Sequence, residues 1–266
     1  MENKNLIQLP ELNNKKLIFD THAHYDDEVF NNDRDLLLKS LNDSNVCNIL
    51  NAGTNLYTSK ISIELANNYD FIFASVGIHP SYCDQISNDY INILKNYCAN
   101  KKVVAIGEIG LDYHYDEHKK HVQLLVFEQQ LKLANELSLP VIIHDREAHM
   151  DTLNLIKKYK PKGVIHCFSG SLEFANEILK LGMYIGLGGV VTFKNAHKVI
   201  NVVKNIPIDR ILLETDAPYM SPTPFRGKRC DSSMIIYSAM KIAELKQINT
   251  IALLAQTLEN AKKLFF

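Results

Sequence analysis

Short runs of consecutive apolar residues recur along the 266-residue chain, each followed by a longer segment whose apolar positions return every three or four residues. The short runs are LIFDT (17–21), VCNILN (46–51), FIFASVG (71–77), VVAIG (103–107), PVII (140–143), GVIHC (163–167), MYIGL (183–187) and RILLE (210–214). Rich in Val, Ile and Phe, they predict strands buried on both faces. The segments 34–42, 57–68, 87–98, 119–138, 147–159, 172–181, 196–204 and 232–247, with a last one at 250–263, predict helices. In the clearest of these, Leu124, Leu125, Phe127, Leu131, Leu133, Ala134 and Leu137 keep to one side.

Eight strands alternating with helices predict a parallel α/β fold, and the count of eight favours a closed (β/α)8 TIM barrel over an open doubly wound sheet. No G-x-G-x-x-G follows the first strand, which argues against a dinucleotide-binding sheet. Without a low-complexity tract or a Pro/Gly/Ser-rich linker, residues 1–266 are expected to form one domain, with residues 1–15 as a polar N-terminal extension.

Composition sets limits. With 46% hydrophobic and 22% charged residues the chain can bury a sizeable core. The formal charge of −1 gives no global cationic field, so a nucleic-acid partner would have to be held locally, by metal ions or a few arginines. The five cysteines (Cys47, Cys83, Cys98, Cys167, Cys230) form no CxxC pair, which fits reduced intracellular thiols. No signal-peptide core and no long apolar window occur, so a cytoplasmic protein with no membrane span is expected, of open oligomeric state.

The chemistry concentrates at the strand ends. His22 and His24 follow the first strand, His79 the third, Glu108 the fourth, His144 the fifth; His166 ends the sixth, and Glu214 and Asp216 follow the eighth. In a (β/α)8 barrel these ends converge on one mouth, so residues far apart in sequence become neighbours. A lone histidine or carboxylate at a strand end is usually a packed or capping residue; the five strand ends that carry His22 with His24, Glu108, His144, His166 and Asp216 together point to metal. Four histidines with several carboxylates exceed what one catalytic zinc needs, about three protein ligands. Two divalent ions sharing a carboxylate would use the surplus, and Glu108 is the candidate bridge. Asp20 shares the strand parity of the two first histidines and is a candidate supporting group, whereas Asp26 and Asp27 are read as loop residues. His114, His118, His121, His149 and His197 fall in polar or helical stretches and are read as solvated or packed.

The segments FDTHAH (19–24), VGIHP (76–80), AIGEIGLDYHYD (105–116), VIIHDREA (141–148), HCFSG (166–170), LLETDAPYMSP (212–222), FRGKR (225–229) and ENAKKLF (259–265) occur in an order that resembles the TatD family of metal-dependent hydrolases. The resemblance covers nearly the whole chain from residue 17. It implies a metal barrel in which His22, His24, Glu108 and Asp216 bind one ion and Glu108, His144 and His166 the second. It also implies deoxyribonuclease activity, often trimming DNA from the 3′ end. The chain departs from the family pattern at Ser81, where histidine is common, and at Cys230-Asp231-Ser232, where Asn-Glu-Pro is usual. The second departure leaves that loop's substrate contacts open.

Mixed histidine and carboxylate ligation accommodates Zn, Mn, Co or Mg and does not choose among them. Asp216 and Glu108 are the expected catalytic residues, Asp216 as acceptor of the proton from the attacking water. His79, Arg146, Glu214, Tyr113 and Arg226 are candidates for substrate contact or ligand support, Arg226 with Lys228 and Arg229 as a cationic loop at the mouth. The leading expectation is a 3′-end exonuclease acting on single-stranded DNA ends. The same chemistry would serve a metal-dependent amidase or an esterase such as a D-aminoacyl-tRNA deacylase. A scaffold that kept the barrel without the chemistry is the third reading.

Overall fold

The computed structural model describes residues 9–12, 15–116 and 119–266. Most of the expected N-terminal extension and His118 lie outside the described residues. The strands are β1 (Ile18–Ala23), β2 (Val46–Ala52), β3 (Ile72–Val76), β4 (Val103–Asp112), β5 (Val141–Arg146), β6 (Gly163–Ile165), β7 (Tyr184–Leu187) and β8 (Ile211–Leu213). The helices are α1 (Arg34–Asn42), α2 (Leu56–Asn68), α3 (Tyr90–Tyr97), α4 (Tyr113–Asp116), α5 (Lys120–Leu137), α6 (His149–Tyr159), α7 (Leu172–Lys180), α8 (His197–Asn205), α9 (Ile235–Lys246) and α10 (Thr250–Phe265). The strands pair in parallel in the order β1 to β8, as the alternating pattern predicts. No described helix is long and apolar enough to cross a membrane.

The interior is apolar at the end where the strands begin. Phe19, Leu50, Val104, Ile142, Val164, Tyr184 and Leu212, from seven strands, form one buried cluster, and Phe73 of β3 packs against it. Helix α10 closes this end with Leu258, Ala261 and Phe265; the Phe265 and Phe266 rings lie 6.0 and 6.1 Å from Phe19. Asn249 caps α10 by accepting from the backbone of Ile251 and Ala252, and Asn260 ties it to β8 by donating to the carbonyls of Ile208 and Ile211.

The ring closes between β8 and β1, just beyond the last residue of β8. Asp216 N donates to His22 O at 2.9 Å, His24 N to Ala217 O at 2.7 Å, and Thr21 Oγ1 to Leu213 O at 3.0 Å. Three candidate ligands, His22, His24 and Asp216, therefore supply backbone groups that complete the barrel.

Strand β4 runs five residues beyond its predicted end. Gly107 and Gly110 both serve close packing: a Cβ on Gly110, where φ is +145°, would lie 2.0 Å from the carbonyl oxygen of His144. The extension carries Asp112, whose backbone is bracketed by the Gln123 amide, N to Oε1 and Nε2 to O, each at 2.8 Å.

Candidate metal centre

The strand pleat sets which side chains reach the mouth. In β5, β6 and β8 the polar residue stands two positions after the residue that fills the barrel floor: Ile142 then His144, Val164 then His166, Leu212 then Glu214. Strand β1 breaks this rule, because Phe19 belongs to the floor and His22, three positions on, belongs to the mouth. The register with β2 shifts between Asp20 and Ala23, which supplies the extra residue.

Asp20 consequently faces the ring closure. Its buried carboxylate accepts from Thr215 N at 3.0 Å, Thr215 Oγ1 at 2.6 Å, Ser232 Oγ at 2.6 Å and His22 N at 3.3 Å. Ser232 N donates to Tyr25 Oη at 2.9 Å, and the two hydroxyls are 2.8 Å apart. The departure at Cys230-Asp231-Ser232 therefore places a hydroxyl where it completes a buried chain between β1 and the segment after β8.

Four donor atoms converge on one side of the mouth. His22 Nε2 and His24 Nε2 are 3.0 Å apart; Glu108 Oε2 lies 3.4 and 3.6 Å from them, and Asp216 Oδ1 3.7 and 3.4 Å. Ligands of a shared tetrahedral zinc, each 2.0–2.1 Å from it, would stand roughly 3.3–3.4 Å apart. These four atoms have the spacing of a ligand set, and the donor chemistry fits a divalent cation. On the other side, Glu108 Oε1 lies 2.8 Å from His166 Nε2 and 3.1 Å from His144 Nδ1, and those two nitrogens are 3.3 Å apart. Glu108 thus turns one oxygen to each donor set, the arrangement a bridging carboxylate requires.

The outer ring nitrogens separate ligand-like histidines from a donor. His24 Nδ1 lies 2.9 Å from the Ala52 carbonyl and His144 Nε2 3.0 Å from Asp112 Oδ2; each outer nitrogen donates its proton there and leaves a lone pair facing the centre. His79 is the reverse. Its Nδ1 accepts from Ser81 N at 3.1 Å, so the neutral ring carries its proton on Nε2, 3.5 Å from Glu108 Oε1. His79, Glu108 and His144 are near enough to share an ion, but in this tautomer His79 is a hydrogen-bond donor.

Burial and the carboxylates pull the imidazoles apart in basicity. Burial lowers His22 to about 4, aided by His166, and lowers His79 to about 3. For His24 and His144 burial acts the same way but is outweighed: Asp216 and Glu108 push His24 up to about 10, and Asp112 with Glu108 push His144 to about 9. Burial opposes ionisation of Glu108, yet His166, His79 and His22 hold it well below its ordinary range. Asp216 is likewise lowered against its burial by His24 and His22. Without bound ions the charged His24 and His144 rings offset the Glu108 and Asp216 carboxylates, a role that divalent cations would take over.

The remaining predicted residues divide. His79 and Arg146 line the cleft above the centre, together with His24, Glu108, His144, His166 and Asp216. Glu214 lies beneath it: its Oε1 is 4.0 Å from His166 Nδ1, beyond hydrogen-bond reach, and accepts instead from the backbone N–H of Cys167. Fixing the histidine tautomer is thus not its contact in this structure. Tyr113 and Arg226 are not among the residues lining the cleft. The Tyr113 hydroxyl donates to Asp151 at 2.9 Å and Lys120 covers its ring at 4.7 Å; the Arg226 guanidinium stacks 3.7 Å over Phe193. Arg229 is paired with Asp33 and also donates to the Val29 carbonyl, so no cationic loop borders the cleft among the described residues. Asp26 and Asp27, read as loop residues, do line it: Asp26 accepts from Asn51 Nδ2, and Asp27 from the Tyr219 hydroxyl at 2.7 Å.

Sequence reasoning missed Asp112, although its position four residues after Glu108 on an extended strand places it on the same face.

Comparison with known proteins agrees with this barrel. The family model described as TatD related DNase matches residues 19–266. The chain belongs to the TatD family. Among its TatD relatives, YabD of Bacillus subtilis, named an uncharacterized metal-dependent hydrolase, is 42% identical over 94% of this chain and 99% of its own. A protein of Erwinia tasmaniensis named 3′-5′ ssDNA/RNA exonuclease TatD is 32% identical over 93% of this chain and 99% of its own. The crystal structure of the TatD homologue YjjV from Escherichia coli superposes with a TM-score of 0.89 at 32% identity, covering 94% of this chain and 98% of that one. This TatD-family chain is accordingly a metal-dependent hydrolase acting on ester bonds.

Proposed function

We propose that the protein removes nucleotides from the 3′ ends of single-stranded DNA, with one divalent ion held by His22, His24, Glu108 and Asp216 and a second by Glu108, His144 and His166. The observation that carries this reading is the division of Glu108 between the two donor sets, Oε2 toward one and Oε1 toward the other. The exonuclease name of the Erwinia relative supports the choice of substrate.

Divalent ions held by these residues would supply an acidified water and Lewis-acid charge stabilisation. The chain's own residues do the rest. Asp216, held ionised by the neighbouring histidines, accepts the proton of the attacking water at a carboxylate oxygen. His79 presents Nε2–H to the cleft, where it donates to a phosphate oxygen as charge develops. Arg146, at the end of β5, offers a planar fork to the same group. Asp112 keeps the His144 lone pair aimed inward.

The test is nucleotide release from 3′-labelled and 5′-labelled single strands with Mg, Mn, Co or Zn, beside release of amino acid from D-aminoacyl-tRNA. Release from the 3′ end is expected with at least one ion, and Glu108→Gln should lower it by about 10³-fold or more. A metal-loaded protein that deacylates the tRNA and releases no nucleotide with any ion would replace this reading with the esterase one.

A further inference from the structure

The cleft above the centre has a volume of about 840 Å³, within the range of roughly 300–1,000 Å³ for small-ligand pockets. It is the size for the end of a strand, not for a long run of backbone. Its charge is unusual for a nucleic-acid site. Of the described residues that line it, Arg146 is the sole lysine or arginine, whereas Asp26, Asp27 and Glu28 form an acidic rim. The rim follows β1 and Arg146 ends β5; in a ring of eight strands these are opposite walls. Asp145, beside Arg146 on the β5 wall, is paired with His149 at 3.0 Å, so a phosphate is drawn to Arg146 and repelled from the β1 wall.

The walls flanking the acidic rim carry aromatics. Tyr57 opens α2 after β2, Tyr82 ends the short turn after β3, and Tyr219 follows β8. Their exposures are 74%, 36% and 53%. A single exposed tyrosine is ordinary on a protein surface; three around one mouth, each on a fixed base, are a platform. Tyr57 stands on a helix start locked by the Asn55–Thr58 capping box. Tyr82 belongs to the Pro80–Tyr82 turn that His79 caps, and the Tyr219 hydroxyl is held by Asp27.

We propose that the protein recognises the terminal one or two nucleotides of a single strand by stacking their bases on Tyr57 and Tyr82, with the phosphates turned to the Arg146 wall. This rests on the nuclease reading above. A strand held through its phosphates loses affinity with salt at a log–log slope of about −0.7 per neutralised phosphate. With one cationic side chain in the cleft the slope is shallow, and the bases supply the affinity that phosphate contacts do not.

The experiment compares kcat/KM on a single strand with an intact 3′-terminal base and on the same strand ending in an abasic residue. The wild-type protein should prefer the intact end by roughly 5- to 150-fold, the range measured for loss of one stacked base. Tyr57→Ala with Tyr82→Ala should collapse that ratio toward one, and the Phe substitutions should restore it. Binding of a labelled single-stranded dodecamer to the Glu108→Gln protein should show a salt slope between 0 and about −1.5. Equal rates on the two ends in the wild type, an unchanged ratio in the double Ala variant, or a slope steeper than about −2 would each overturn the proposal. If the wild type hydrolyses no nucleic acid, the nuclease reading falls, and stacking is then judged by that binding measurement alone, with no dodecamer binding counting against it.

Discussion

The two ends of the barrel are built from the same eight strands and behave as opposites. At the floor, Phe19, Leu50, Ile142, Val164 and Leu212 interlock beneath Phe265, and the cations that approach, Lys102 over Phe73 and Arg210 over Tyr184, rest on ring faces. At the mouth, further along the same strands, His22, His24, His79, His144 and His166 crowd around Glu108 and Asp216, and His22 Nδ1, His166 Nδ1 and Glu214 Oε2 are buried without a hydrogen-bond partner. The difference teaches where this fold draws stability and where it stores reactivity: the floor gains from every buried methylene, while the mouth holds buried charge that awaits cations.

The sharpest way to break the comparison is to damage each end in turn. Phe265→Ala should destabilise the protein by about 3–5 kcal/mol, read by denaturant unfolding, with kcat of the folded fraction unchanged. Asp216→Asn should do the reverse, lowering activity by about 10³-fold or more and halving the ion stoichiometry while the unfolding midpoint of the metal-free protein changes little. If Phe265→Ala abolished ion binding, the two ends would not be separable.

A smaller effect concerns pH. Burial raises the Glu214 carboxyl to about 8 from an ordinary 4.5. A group whose folded pKa is raised favours its protonated form in the fold, so its contribution is complete below about 4.5 and is lost as pH rises toward 8. Thermal melts of the metal-free protein should therefore fall over that window, by a few kcal/mol at most, and Glu214→Gln should flatten the slope. An identical slope in the variant would assign the loss to other groups. Smallest is Ser232→Ala, which leaves Asp20 short of one donor and should cost about 1–3 kcal/mol with ion stoichiometry intact.

Much of this was legible in the sequence, because period and strand-end chemistry are local signals. The eight strands follow from their continuous apolar runs, and the convergence of His22, His24, Glu108, His144, His166 and Asp216 follows from the barrel's one-mouth geometry. The misreadings share a cause: each depended on a partner remote in the chain. Arg226 is drawn onto Phe193 and Arg229 onto Asp33, and nothing near FRGKR announces either. Tyr113 is drawn to Asp151, and Asp112, beyond the predicted end of β4 at residue 107, takes its role from His144. In β1 the inference that Asp20 accompanies His22 and His24 assumed unbroken alternation, whereas the register shift sends its carboxylate to Thr215 and Ser232.

The closure between β1 and β8 has a consequence for how the molecule is made. His22 and His24 leave the ribosome early, but Asp216 and the backbone of Ala217 that receives His24 N–H arrive nearly two hundred residues later. A nascent chain ending before residue 214 already contains Glu108, His144 and His166, yet lacks both the last strand-end carboxylate and the bonds that seal the ring. The first donor set is therefore completed only after β8 and the segment that follows it have been made, so an ion held by that set would report that the ring has closed.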